Sequence, residues 1–345
     1  MTVNWRALNP EVAPRQVRHR NAELQQLSRS LMPLVDGAAP EPIFLFGPSG
    51  VGKTTLAEEG LKRLGRELPG VDTHHINCRY GQTRFGTLCK VGEAVGAGLD
   101  THPQSTSAVL TALHQLDGWH VVVLDEANQL EEPGVLLDLY DAPRIALIGI
   151  ANDQERLFGR ITDPTVSRLA GGELLRVRRY DRGELLDILS DRVEWALGPE
   201  WREFIQMSAL TAIARLAEGD ARRGIMTLRE AVQNGQDVGV DHVTAALVRE
   251  EAIDDANDAI REKQLARLND HCQTVYHIIE AAGEIDRPTL YDRYCDRVAD
   301  PKTDRTVQDY IGKLVNYGLI EQRGPKQDRT YIPSTALPRL EEYTG

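Results

Sequence analysis

"PIFLFGPSGVGKTTLAEEG", residues 42–60, joins an apolar run to a helical one through a glycine-rich turn. The turn "GPSGVGKT" (47–54) is a complete G-x-x-x-x-G-K-[ST] pattern, and its placement matters as much as its letters. A buried strand runs into it and a helix opens from it. The loop N–H groups and the helix N-terminus then form one nest for phosphate. The expected contacts to ATP or ADP come from Pro48, Ser49, Gly50, Val51, Gly52, Lys53, Thr54 and Thr55. Lys53 is expected to neutralise the outer phosphates and the Thr54 hydroxyl to ligate Mg2+.

Outward from that loop, β-rich runs alternate with helical ones. "VDTHHIN" (71–77), "WHVVVLD" (119–125), "RIALIGI" (144–150) and "ELLRVRR" (173–179) join "PIFLF" (42–46) as five strands. Helix-patterned segments lie between them, which predicts an α/β domain with a parallel sheet covered on both faces. After Tyr180 the β-rich runs stop, and "DRGELLDILSDRVEWAL", "LTAIARLAEG", "DARRGIMTLREAVQNG" and "TAALVREEAIDDANDAIREKQLARL" repeat apolar residues at helical spacing. From about Leu268 three helical segments are followed by two short strands, "LIEQR" and "RTYIP", around the turn "GPKQD". That is a winged-helix pattern. The expected domains are an α/β base over 1–178, a helical lid over 179–262 and a winged helix over 263–345.

Composition narrows the setting. With 41 % apolar and 27 % charged residues the chain reads as globular, and no apolar run reaches the length of a membrane span. The opening residues have no apolar signal-peptide core, so a cytoplasmic protein is expected. Cys78, Cys89, Cys272 and Cys295 are widely spaced, which favours reduced thiols over a disulfide framework or a zinc site. "HHINC" (74–78) lies in a strand without a second ligand pair, and a metal there is not expected. The net charge is −12, and only seven of the 40 basic residues are lysine. An acid surplus with few lysines suits a high-salt cytoplasm, where carboxylates keep the surface hydrated and repulsion is screened. GC-rich codon usage would also favour arginine.

Three further elements bear on the phosphate site. "VVVLDE" (121–126) ends a strand in two carboxylates at the rim of the sheet, where such folds bind ligands. Asp125 is the expected Mg2+ partner through water, and Glu126 the general base for the attacking water. Asn152, at the tip of the next strand, is placed to position that water. In "GDARRGIM" (219–226) Asp220 can cap a helix, but Arg222 and Arg223 follow in the first turn, where cations oppose the helix dipole. A triphosphate offsets that penalty, so Arg222 is expected to meet the γ-phosphate in cis and Arg223 to lie at the surface.

The order of these motifs resembles the AAA+ ATPases and, within them, the archaeal initiator family related to the origin recognition complex and cell division control protein 6. "APRQVRHRNAELQQLSRSLMPLVDG" (about 14–36) resembles that family's N-terminal box, "GPSGVGKT" and "VVVLDEANQL" its Walker A and B, and "IGIANDQERL" its sensor-1 stretch. "ITDPTVSRLAGG" resembles the segment of its arginine finger, which would be Arg168, and "EGDARRGIMTLREAV" its sensor-2 helix. The resemblance implies an AAA+ base, a helical lid and a C-terminal winged helix, with adenine beside Val17, Arg18 and Tyr180. Arg168 would face a neighbouring subunit's nucleotide, or simply make a surface ion pair. "ANQL" after Walker B and a compact loop over 79–106 depart from the larger members.

The function so implied is ATP-dependent replication initiation: binding double-stranded origin DNA and assisting the loading of the replicative helicase, with self-association on DNA. In the winged helix, "DRTVQDYIGKL" (304–314) is the expected recognition helix, with Arg305, Thr306 and Gln308 near base edges. Arg323, Lys326 and Arg329 flank the hairpin tip, suited to phosphate or minor-groove contact. Asp304, Asp309 and Asp328 dilute that basic patch, and winged helices also mediate protein contacts. The alternatives are a DNA-bound ATP switch acting as a transcriptional regulator, or a plasmid-maintenance or transposition-helper ATPase.

Overall fold

The computed structural model of this chain describes residues 2–78, 83–99, 105–161, 168–169, 171–248, 261–262, 264–266, 268–324 and 329–334. Two compact units divide the chain: Met1–Arg229 with Asp241–Ala245, and Glu230–Val240 with Ala246–Gly345.

In the first unit β1 (Ile43–Phe46), β2 (Val71–Asn77), β3 (Trp119–Asp125), β4 (Ile145–Ala151) and β5 (Glu173–Arg176) form a parallel sheet in the order β2-β3-β4-β1-β5. β1 and β4 are buried along their whole length, as continuous apolar runs must be when helices cover both faces. Alternation sorts the two sides. Phe44, Phe46, Val122 and Leu124 face one core, with α3 (Arg84–Ala94), α4 (Thr106–His114) and α5 (Val135–Tyr140). Ile43, Leu45, Val121, Val123 and Ile148 face the other, with α1 (Asn21–Ser30) and α2 (Lys53–Glu67). Because β1 sits between β4 and β5, the C-terminal ends of β3, β4 and β1 lie side by side, with Leu124 opposite Gly149 and Phe46 opposite Ala151. Three separate motifs therefore reach one rim.

β5 stops at Arg176, three residues short of the expected strand. Val177 N–H still donates to Phe46 O (2.7 Å), but the side chains beyond it turn to other partners. Arg178 forks onto Glu184 (Nη1 to Oε2 2.7 Å, Nη2 to Oε1 2.6 Å), and Arg179 Nη1 donates to Glu218 O (2.8 Å). The chain then enters α7 (Arg182–Leu197) through a capping box of Asp181 and Glu184, followed by α8 (Met207–Leu216) and α9 (Ala221–Val238). α6 (Gln154–Phe158) follows β4, capped by Asp153.

The Arg178 fork and the box hold the Glu184 carboxyl at about 2, below its ordinary value of 4.5. A depressed acid stabilises the fold above its unfolded pKa, and that contribution is lost as pH falls through the folded value. Glu184→Gln should therefore cost about 1 kcal/mol at neutral pH. The gap in Tm between variant and wild type should close as pH falls from about 4.5 to about 2. A pH-independent gap would remove the ionised carboxylate from the account.

The second unit holds α10 (Asp270–Ala282), α11 (Arg287–Arg297) and α12 (Asp304–Asn316), with a three-stranded antiparallel sheet in the order β6-β8-β7. β7 (Ile320–Arg323) and β8 (Thr330–Pro333) are the expected hairpin strands. β6 (Ile285–Asp286) was not expected, since two residues leave no alternation to read. Val275, Tyr276, Ile279, Leu290, Tyr294, Ile311 and Leu314 close its core. Lys326, the turn "GPKQD" beyond Gly324, most of "TAALVREEAIDDANDAIREKQLARL" and residues 162–167 lie outside the described residues. Among the described residues no helix is long and apolar enough to cross a membrane. All four cysteines are free thiols, and burial pushes Cys78 and Cys272 up to about 12.

Candidate functional site

The loop over 47–54 is held from both sides of the chain. Lys53 is 8 % exposed, and its ammonium uses its donors on Gly47 O (2.6 Å), Pro48 O (2.7 Å) and Asn152 Oδ1 (3.0 Å). The amide at the end of β4 and the loop lysine are thus in direct contact. Burial pulls the Lys53 pKa from 10.5 to about 8, with Glu126 and Asp125 acting in the opposite sense. A partly desolvated cation at the mouth of a glycine loop is suited to meet an anion.

Thr54 Oγ1 donates to Asp125 Oδ2 (2.7 Å), so the hydroxyl at the start of α2 and the carboxylate at the end of β3 share a hydrogen bond. His75, on the edge strand β2, places Nε2 3.2 Å from the same oxygen, and Glu126 N–H donates to Oδ1 (2.8 Å). Burial disfavours the Asp125 carboxylate, but these hydrogen bonds prevail and hold its pKa below the usual value. His75 is raised by its bond to Asp125. An ionised carboxylate beside a hydroxyl is an oxygen-only donor pair, which fits Mg2+ better than a soft metal. His75 was missed from the sequence. Its signal was parity, since His75 and Asp125 lie on the same face of neighbouring strands paired as His75–Val123 and Asn77–Asp125.

α9 closes the site. Arg222 Nη1 donates to Ser49 Oγ (3.2 Å), and Ala221 N–H donates to Gly50 O (3.0 Å). Asp220 caps α9 through Arg223 N–H (2.9 Å), and burial pushes its carboxyl up. A Cβ on Gly50 would lie 1.9 Å from Asp220 Oδ1, and one on Gly52 would lie 2.8 Å from Tyr180 Oη. Gly50 also has a φ of 75°. Gly50→Ala should therefore lose about 1–3 kcal/mol of stability through backbone strain alone, with more from the clash. Urea denaturation reads it, and a loss below about 0.5 kcal/mol would mean that loop and helix part freely. Arg223, expected at the surface, is half-buried, and its Nε is shielded without a hydrogen-bond partner among the described residues.

The remaining site residues distribute as follows. Val17 is half-buried against the core cluster that contains Val51. Tyr180 is buried beneath the Arg20 guanidinium, 3.9 Å from its ring centroid. Arg18 is directed to Asp191 (Nη2 to Oδ1 3.0 Å). Glu126 sits just past β3 with a left-handed φ of 57°. Thr55 lies in the first turn of α2. Arg168 is exposed, paired with Asp141 (Nη1 to Oδ2 3.1 Å) and 5.7 Å from the Tyr140 ring centroid.

In the second unit Thr303 caps α12, leaving Arg305 and Gln308 exposed and setting the Thr306 hydroxyl 3.0 Å from Thr303 Oγ1. Asp304 is paired with Arg287 (Nε to Oδ1 3.3 Å), so this acid next to Arg305 is already neutralised. Arg323 is exposed at the end of β7, and Arg329 is half-buried with its Nε shielded.

The AAA domain family matches residues 38–157. The ORC1-type DNA replication protein 9 of Halobacterium salinarum is 37 % identical over 96 % of this chain and 94 % of its own length. ORC1-type DNA replication protein 1 of the same organism is 39 % identical over 90 % of this chain and all of its own. Among solved structures, the ORC1 protein of Aeropyrum pernix in complex with DNA is similar at 26 % identity and a TM-score of 0.74. That match covers 96 % of this chain and 93 % of that one.

Proposed function

Since the chain belongs to the ORC1-type DNA replication proteins, we propose that it initiates replication by binding origin DNA under the control of ATP, which it hydrolyses slowly. The observation that carries this reading is the convergence of Lys53, Asn152, Thr54, Asp125 and Arg222 on one glycine loop. In this reading the loop amides and Lys53 bind the phosphates, and Tyr180, Val17 and Arg18 border the base. Thr54 and Asp125 would hold Mg2+, which draws charge from the phosphate oxygens. Glu126 takes the proton of the attacking water, Asn152 orients that water, and Arg222 ties α9 to the γ-phosphate. The domain division proposed is a base over 1–178, a lid over 179–262 and a winged helix over 263–345.

The DNA part of the proposal rests on α12 and the hairpin. Arg305 and Gln308 are exposed on the first turns of α12, with Asp304 removed from competition by Arg287. Thr306, Arg323, Lys326 and Arg329 complete the proposed contact set. The acid surplus and the haloarchaeal relatives fit a saline cytoplasm, where counterion release adds little, so affinity leans on base contacts and DNA shape. Footprinting in molar salt with ATP tests this: protection of an origin repeat is expected, and no protection on any origin-like repeat overturns the origin-binding reading. Helicase loading and self-association on DNA belong to the same proposal.

One observation favours a second reading, an ATP switch with negligible turnover. Arg168 is occupied by Asp141 and must leave it before acting on a neighbour's nucleotide. Steady-state turnover on DNA separates the two.

A further inference from the structure

Residues 4–19 are tied along the length of α7, and Trp5 also lies 5.4 Å from the Arg229 guanidinium of α9. Asn4 N–H donates to Ala196 O (2.9 Å) near the C-terminal end of α7, and Ala7 and Leu8 are fully buried. Arg192, itself 5 % exposed, reaches from α7 to Ala7 O (Nη1, 3.1 Å) and Val12 O (Nη2, 2.7 Å). Arg15 lies 5.0 Å from the Trp195 ring centroid, Arg18 pairs with Asp191, and His19 Nε2 is 3.0 Å from Asp187 Oδ2. Between Asn4 and His19 the contacts line α7 from Ala196 to Asp187, with Arg15 reaching back to Trp195 before Arg18 and His19 pair with Asp191 and Asp187.

The segment ends on Arg20, which is wholly buried. Its Nη2 donates to Val51 O (3.0 Å), inside the phosphate loop, and to Arg178 O (2.7 Å), where the chain leaves β5 for α7. The same guanidinium lies over Tyr180, and Nη1 is 3.4 Å from Glu23. A guanidinium cannot shed its charge on burial, and taking it out of water costs several kcal/mol unless carbonyls and carboxylates receive it. An arginine retained there cross-links the backbone segments it touches.

We propose that residues 4–20 form a strap that transmits the position of α7 to the phosphate loop, with Arg20 as the positioning residue at its end. The proposal draws on the nucleotide reading only for its affinity readout. Amide exchange on the full chain without nucleotide tests the strap directly. Arg192→Met removes the two bonds that hold Ala7 O and Val12 O to α7, while touching neither the loop nor the crossover residues that lead from β5 into α7. Exchange should rise about tenfold over residues 4–13 and also over 49–53 and 178–180, and ADP should bind about tenfold more weakly. A rise confined to 4–13, or no rise there at all, overturns the proposal. Should Arg192→Met fail to fold, Arg15→Ala with Asp187→Asn loosens the same strap from exposed positions and should raise exchange at the same three segments. Arg20→Lys keeps the charge but loses the fork, so the loop and crossover should exchange faster while 4–13 stays protected. A loop as protected as in wild type would free Arg20 of this role. If wild type binds no ADP, the nucleotide reading fails and exchange still decides the strap.

Discussion

Glu126→Gln should bind ATP as wild type does and turn over at least about 100-fold more slowly, the loss expected when a positioned general base is removed. The substitution is nearly isosteric, and the contacts that shape the loop run through other residues. Lys53 is held by Gly47, Pro48 and Asn152, Thr54 by Asp125, and Arg222 by Ser49. The backbone N–H of Glu126, which donates to Asp125 Oδ1, is unchanged by a side-chain substitution, as is the left-handed φ of 57° that turns the chain off β3. What is lost is the capacity to accept a proton, together with one of the negative charges that support the Lys53 ammonium. Titration with a fluorescent ATP analogue and single-turnover phosphate release, both in molar salt, read the two halves separately. Unimpaired release would remove Glu126 from the mechanism, and weakened binding would make it a structural residue of the loop.

The parts of this molecule legible in its sequence are those that repeat a local rule. β2 and β3 match their expected ranges because alternation and apolar runs are local. The glycine loop announces itself for the same reason, since backbone wrapping and phosphate binding demand particular residues at fixed spacing. What escaped depends on chain segments far apart. Arg178 reads as strand, but Glu184 draws it out of the sheet. Asp304 reads as an acid that dilutes a basic patch, but Arg287, seventeen residues earlier, neutralises it. Arg20 carries no signal of its own within the N-terminal box stretch, yet it is buried on carbonyls from residues 51 and 178. Arg222 draws notice in the sequence through its conflict with the helix dipole, and the structure sets it against Ser49 of the glycine loop. Arg223 carries the same conflict and is half-buried like Arg222, but among the described residues it makes no bond to the loop and its Nε is shielded, so the dipole argument alone does not tell the two apart.

Lys53→Ala should weaken ATP by about 100-fold, the equivalent of about 3 kcal/mol for removing one partner of a buried charge pair. The fold itself should change little. Deleting the side chain strands Gly47 O, Pro48 O and Asn152 Oδ1, but it also removes a cation whose burial has already lowered its pKa from 10.5 to about 8. That shift gives the test a second dimension. Without ligand, Lys53 loses its proton as pH rises through about 8. Beside a triphosphate the charged form is favoured, so binding above that pH requires proton uptake. Wild-type affinity should be flat below pH about 8 and fall by about tenfold per pH unit above it. In Lys53→Ala the fall should vanish while the overall weakness remains. A wild-type affinity that stays flat to pH about 9.5 would mean that Lys53 keeps its proton throughout, and the burial that lowers its pKa would then be offset by Asp125 and Glu126 more fully than the geometry allows.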